Sequence, residues 1–301
     1  MKIYDLKTMT ECSIEGNTVV ALGNFDGCHN GHMSVVMKAF YEAKAKKARS
    51  VVYTFEKMPK NTNKCILTLD EKIKFIRKAG IDYIAIDDFF SVKDKDGKEF
   101  FDEILIEKLN SVGAVCGFNY RFGKNASCGA QDLAIMYEKN GGSVAICDKI
   151  LYEGVPVSST LIRELIKNGD VEAVSRIAPP YSVKAMVLEG KKLGRTIGAP
   201  TINQQIPDEK VIPQRGVYIT ECEIGEDVYP AVTNVGLRPT VESADSVNME
   251  THIIGYNGTL YSSYIRVNFY KKIRDEIKFQ SVEALKEQIS KDIEEATLYF
   301  R

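Results

Sequence analysis

The chain has 301 residues, 44% of them hydrophobic and 27% charged. That is too long for one compact core and too apolar for a disordered chain. Forty basic residues against forty-one acidic ones leave a formal charge of −1, which argues against nucleic-acid binding by phosphate neutralisation.

The N-terminal stretch Met1 to Asn17 has no apolar leader pattern, and no run approaches the roughly 18 apolar residues that span a bilayer. Short apolar runs at Val19–Leu22, Ser50–Phe55, Tyr83–Ile86, Ala114–Gly117 and Ser143–Ile146 read as buried strands. Helical spacing fills the intervals at His32–Lys47, Asp70–Ala79, Glu99–Leu109 and Ala130–Lys139. The basic cluster from Lys44 to Arg49 reads as a solvated helix end. Alternating strand and helix predict an α/β unit with a doubly wound parallel sheet, whose ligands bind beyond the carboxyl ends of the strands.

After Ala178-Pro179-Pro180 the pattern changes. Tyr181–Glu189, Gly216–Ile224, Val228–Val235, Val247–Tyr256 and Leu260–Tyr270 are strand-like and separated by turn residues, and a helix is expected from Ser281 to Thr297. This predicts a small antiparallel β-barrel with a C-terminal helix. The expected domains are 1–178 and 181–301. Seven scattered cysteines (12, 28, 65, 116, 128, 147 and 222) contain no Cys-x-x-Cys pair. They suggest free thiols in a reducing compartment, and a cytoplasmic protein is expected.

Val20 to His32 runs from a buried strand through a turn with Gly23, Gly27 and Gly31 into a helix. The glycines allow close backbone approach, and a helix start offers free N–H groups to phosphate. His29 and His32, three apart, can both donate to a phosphoryl group as charge builds in a displacement. Two other readings stay open: a metal pair with Asp26 as third ligand, and histidines that merely pack. Ser158, Ser159 and Thr160 place hydroxyls at a second helix start, with Arg163 one turn on. That arrangement suits a polyphosphate or, more simply, a helix cap.

Gly23 to His32 resembles the His-x-Gly-His signature of nucleotidylyltransferases, in the longer form Gly-Asn-Phe-Asp-Gly-x-His-x-Gly-His of bacterial FAD synthetases. Gly117 to Gly123 and Val157 to Arg163 are similar to two further segments of that family, in the same order. The resemblance implies catalytic His29 and His32. It places ATP and its phosphates on Gly23, Asn24, Phe25, Gly31, Ser158, Ser159, Thr160 and Arg163, and flavin on Asn119 and Arg121. One departure is Met58, which stands where the family's Thr-Phe-x-Pro-His-Pro stretch has histidine.

Gly190 to Thr196 has the wrong glycine spacing for a Walker A loop. Its continuation, Gly194 to Asn203, resembles the Gly-Arg-x-x-Gly-x-Pro-Thr-x-Asn motif of riboflavin kinases. Asn234 to Thr240, Glu250 to Ile253 and Ile273 to Phe279 are similar to three further kinase segments. What the resemblance implies is Glu250 as catalytic base and Mg²⁺ on Thr201 and Asn203. It also implies phosphate contacts from Gly194, Arg195 and Gly198, and flavin contacts from Asn234 and Arg274. His252 is expected to support the strand. Ala185 and Ser262 stand where the family usually has glycine.

Domain order and motifs match the bifunctional riboflavin kinase/FMN adenylyltransferase family. The expected activity makes FMN from riboflavin and FAD from FMN, with ATP at each step, Mg²⁺, and no nucleic-acid or membrane partner. The sequence does not define an oligomeric state. Rival readings are a kinase with an impaired first domain, a non-catalytic flavin-binding regulator, and a nucleotidylyltransferase for another acceptor.

Overall fold

The computed structural model describes residues 1–9, 14–56, 64–189, 199–237 and 247–301. The chain forms two compact units. The first runs from Met1 to Ser159 without Lys64–Ile66, and the second joins Lys64–Ile66 to Thr160–Arg301.

The first unit is built on a six-stranded sheet. In chain order its strands are β1 (Lys2–Asp5), β2 (Thr18–Leu22), β3 (Arg49–Phe55), β4 (Tyr83–Asp87), β5 (Ser111–Gly117) and, after two short strands, β8 (Ser143–Cys147). The spatial order is β1-β4-β3-β2-β5-β8, all pairs parallel. Every residue of β2 is buried, as expected of a strand covered on both faces.

Val20, Leu22, Val51, Tyr53, Ala114 and Cys116 share one core with a π-helix, Phe100–Lys108. Helix α1 (Asn30–Ala45) buries Val35, Val36, Ala39 and Ala43 and lies against β2, β3 and β5. Helix α2 (Leu69–Lys78) opens with a capping box between Thr68 and Glu71. Two short helices, α3 (Phe89–Val92) and α4 (Gly97–Glu99), precede the π-helix. The antiparallel pair β6 (Arg121–Phe122) and β7 (Cys128–Gly129) leads into α5 (Ala130–Lys139), and the hairpin β9 (Leu151–Tyr152) and β10 (Val155–Pro156) follows β8. Strand β1 was not expected, because only Tyr4 of its four residues is buried.

In the second unit, α6 (Ser159–Lys167), whose first residue belongs to the first unit, and α7 (Val171–Ile177) precede the barrel. Its strands are β11 (Ser182–Met186), β12 (Thr201–Gln205), β13 (Gly216–Ile224), β14 (Asp227–Leu237), β15 (Val247–Ile253) and β16 (Tyr264–Arg274). They run antiparallel in the order β11-β16-β13-β14-β15-β12. A bridge between Leu188 and Asn203 joins the two ends of that order and closes the barrel. Helix α8 (Val282–Tyr299) is capped by Ser281 and covers Val217, Ile219 and Val232 on the outer wall through Ala296. Packing groups α7 with the barrel: it lies against β16 and buries Val171, Val174 and Ile177.

Among the described residues no helix is long and apolar enough to cross a membrane. Cys28, Cys65, Cys116, Cys128, Cys147 and Cys222 are free thiols, and Cys12 lies outside the described residues.

Candidate active site

The chain leaves β2 for β3 on one side, while β5 flanks β2 on the other. The loops after β2 and β5 therefore diverge and leave a crevice at the carboxyl edge of the sheet. A cavity of about 860 Å³ occupies it, reached by Gly23 to His32, Gly117 to Arg121 and Val157 to Ser159.

The turn after β2 is held in an uncommon backbone form. Phe25 (φ 53°), Gly27 (φ 93°) and Cys28 (φ 41°) are left-handed, and for the two non-glycine residues that form is strained. A Cβ on Gly23 would lie 3.0 Å from the Phe25 ring, and one on Gly31 would lie 3.2 Å from the His29 ring. A side chain at either position would press on these rings.

His29 is the N-cap of α1: its Nδ1 accepts the backbone N–H of His32 at 3.2 Å. The two imidazoles stack with centroids 3.6 Å apart, and Phe25 meets His32 edge-on at 5.4 Å. Burial lowers the His29 pKa to about 4, so the ring is neutral at pH 7. A neutral ring that accepts at Nδ1 must carry its proton on Nε2. Cys28, pushed up to about 12 by burial, is no nucleophile at neutral pH.

Asp26 does not join the histidines as a ligand set. It is 4% exposed, and its Oδ1 accepts the N–H of Leu67 at 3.1 Å. Among the described residues there is no group of three or more His, Cys, Asp or Glu able to hold a metal. Ser159, the last residue of the first unit, donates its Oγ to Asp26 O in the turn at 2.7 Å. Ser158 is half-buried beside it and Thr160 is exposed. Arg163 spends its Nε on Lys64 O at 2.8 Å. Asn119 and Arg121 are both exposed after β5, and Arg121 Nε donates to Ala126 O.

In the barrel, one ladder row crosses four strand pairings. Asn203 on β12 faces Glu250 on β15, Glu250 faces Asn234 on β14, Asn234 faces Val217 on β13, and Val217 faces Arg274 on β16. Paired residues share a face. Val217 lies on the outer wall under α8, so Asn203, Glu250 and Asn234 also belong to the outer wall. Glu250 is exposed, whereas its neighbours Met249 and Thr251 are buried inside. Thr201, two residues before Asn203, lies on the same face and pairs with His252. Asn203 Oδ1 accepts Asn248 Nδ2 at 3.3 Å, and His252 Nδ1 meets Pro200 O at 2.9 Å.

A sequence model of the FAD synthetase family matches residues 12–161, and one of the riboflavin kinase family matches residues 177–300. The bifunctional riboflavin kinase/FMN adenylyltransferase of Bacillus subtilis (strain 168) is 33% identical over 297 residues, 95% of this chain and 93% of the relative. The chain belongs to the bifunctional riboflavin kinase/FMN adenylyltransferase family. The enzyme of that name from Escherichia coli (strain K12) is 30% identical over 96% of this chain and 95% of its own. A solved structure described as a macrolide-efflux protein from Streptococcus pneumoniae shares the fold. It has a TM-score of 0.86 and 31% identity, with 97% of each chain covered.

Several family segments lie outside the described residues: Gly194, Arg195 and Gly198, Met58, and Arg238 to Thr240. The Arg274 guanidinium is engaged within the second unit: its Nε and Nη2 grip the carboxylate of Asp292 on α8 at 2.8–3.1 Å, and its Nη1 donates to Asp275 O. Asp292 is 4% exposed, so the pair pins α8 to the barrel. Sequence reasoning also missed two buried groups. Tyr53 donates to the buried Asp87 at 2.9 Å, and Lys72 of α2 reaches Asn24 of the turn. Neither has a sequence signal, since both sit in segments that read as ordinary strand and helix.

Proposed function

We propose that the chain phosphorylates riboflavin to FMN in its barrel and adenylylates FMN to FAD in its α/β unit. One ATP is used at each step, and pyrophosphate leaves in the second. The observation that carries this reading is that each matched family segment contains its own poised reactive groups: the capped His29–His32 pair in the first and the exposed Glu250 in the second.

In the kinase step Glu250 takes the proton of the ribityl 5′-hydroxyl as its oxygen attacks the γ-phosphorus, and the bond to ADP breaks. Asn234 flanks the flavin, with Gly194, Arg195 and Gly198 on phosphate. Thr201 and Asn203 offer neutral oxygens on one strand face, beside the Glu250 carboxylate. Hard oxygen donors of this kind fit Mg²⁺, which when bound neutralises charge on the ATP phosphates.

In the adenylylation step an FMN phosphate oxygen attacks the α-phosphorus of ATP and the α–β bridge breaks. The Nε2–H of His29 and the ring of His32 donate to the oxygens that gain charge. Gly23, Asn24, Phe25 and Gly31 shape the nucleotide side. Ser158, Ser159, Thr160 and Arg163 hold the phosphates, and Asn119 and Arg121 meet the flavin. Residues 1–178 carry the adenylyltransferase and 181–301 the kinase. Free thiols among the described cysteines support a cytoplasmic location.

Incubating the pure protein with riboflavin, ATP and Mg²⁺, then separating flavins, tests the reading. FMN followed by FAD is expected. FMN alone favours the kinase-only reading, which Met58 motivates, and no conversion favours the regulator.

A further inference from the structure

Lys72 is only 4% exposed, and an ammonium is seldom buried unless its donors are used. Its Nζ donates to Thr54 Oγ1 at 3.1 Å and to Phe55 O at 3.2 Å, and reaches Asn24 Oδ1 at 3.5 Å. These acceptors, among the described residues, use the N–H bonds of an ammonium. The Thr54 hydroxyl in turn donates to Asn24 O at 2.9 Å. Asn24 is thereby held at side chain and backbone by one knot of bonds, at the point where β2 gives way to the glycine turn.

The segment leading into the same helix holds the turn again at Asp26, two residues after Asn24. Leu67, just ahead of the N-cap of α2, donates its N–H to Asp26 Oδ1. The Lys72 charge is also felt within the turn, where it pulls against the rise that burial imposes on Cys28. The turn needs such support. Gly23 and Gly27 leave its backbone many alternatives, and the left-handed Phe25 and Cys28 persist only where the surroundings over-determine them.

We infer that Lys72 is a positioning residue for adenylyl transfer: its ammonium fixes Asn24 and with it the turn that presents His29 and His32. This rests on the adenylyltransferase reading of the turn. An apolar side chain at this place could fill the volume but could not hold Thr54, Phe55 and Asn24 together.

The test uses the full chain with Lys72→Met, of similar length but without donors, Lys72→Arg, Asn24→Ala and the double variant Lys72→Met/Asn24→Ala. Lys72→Met is expected to lose about 10- to 100-fold in kcat for FAD formation, the scale of a misplaced reacting geometry. The KM for ATP should move less than about threefold, and FMN formation by the same preparation should stay within about twofold. Amide hydrogen exchange across residues 23–29 should rise about tenfold or more. Lys72→Arg should recover much of the rate, and the double variant should fall no further than the worse single one.

Adenylylation retained within about twofold, unchanged exchange across 23–29, or additive losses would each overturn the inference. A parallel fall of both activities with the melting temperature would also overturn it, by showing a general structural role. If Lys72→Met does not fold, Thr54→Val, which removes one acceptor, is read by the same exchange measurement. Wild-type protein that makes FMN but no FAD would sink the adenylyltransferase reading instead, and exchange across 23–29 would then decide the role of Lys72 alone.

Discussion

His29 Nδ1 accepts the backbone N–H of His32 at 3.2 Å, so one imidazole both starts a helix and fixes its own tautomer. The cap orients the ring at the wall of the cavity and leaves its proton on Nε2.

Burial of His29 makes stability depend on pH in a defined direction. An unfolded histidine takes its proton near 6.5, whereas burial holds His29 at about 4 in the fold. Between those values the unfolded chain binds a proton that the folded chain refuses. The contribution is present in full above about pH 6.5 and is lost as pH falls, by about 2 kcal/mol at pH 5. His29→Asn keeps a capping oxygen but does not titrate. Melting curves at pH 7 and pH 5 should show wild type losing more stability than the variant by about that amount; equal losses would contradict the assignment.

Replacing His32 by Ala should let FMN accumulate while FAD formation falls roughly 10²- to 10³-fold, the usual worth of a preorganised donor. The Ala variant also removes the ring stacked on His29. Flavin separation after incubation with riboflavin and ATP reads both effects, and FAD formed at the wild-type rate would remove His32 from the mechanism.

Glu250→Gln should do the reverse. The amide keeps the shape of an exposed side chain but cannot take the hydroxyl proton. FMN formation should drop by at least about 10²-fold, with FAD formation from supplied FMN unchanged. A near-normal kinase rate would reassign the base.

Asp292→Asn should cost about 3 kcal/mol, because it leaves the Arg274 guanidinium without its buried counter-charge. The thermal midpoint of kinase inactivation measures it. A variant of normal stability but weaker riboflavin binding would return Arg274 to the ligand.

Truncation should reveal where the barrel's support ends. A fragment beginning at residue 181 keeps every barrel strand but loses α7, whose Val171, Val174 and Ile177 are buried. Each such side chain is worth roughly 1.5 kcal/mol or more. Residues 160–301 should therefore melt well above 181–301 and carry the kinase activity more durably. Equal melting temperatures would show that α7 contributes nothing to the barrel.

What the sequence made legible was whatever repeats a local rule. Strand β2 is an unbroken apolar run, and the turn after it is dense in glycine and histidine, so both were readable. Strand β12 was not read as a barrel strand, because Asn203, Gln204 and Gln205 lack strand character. Its place in the wall is secured instead by Gln204 Nε2, which donates to Ala185 O and Ile265 O. Helix α1 begins at Asn30 rather than His32 because a ring nitrogen, invisible to hydrophobic spacing, caps it. The ion pair of Arg274 with Asp292 and the bonds of Lys72 to Thr54, Phe55 and Asn24 join separate elements, so no local spacing announces them.

The barrel row that places Asn203, Glu250 and Asn234 side by side exists only in one pairing of β15 with its neighbours. A strand has a side-chain period of two, so a shift by a single residue would send Met249 outward and turn the carboxylate into the wall. The register of β15 thus decides where the carboxylate points as much as the residue type does. A variant that slips by one position retains every atom of Glu250 and no longer presents it between Asn203 and Asn234.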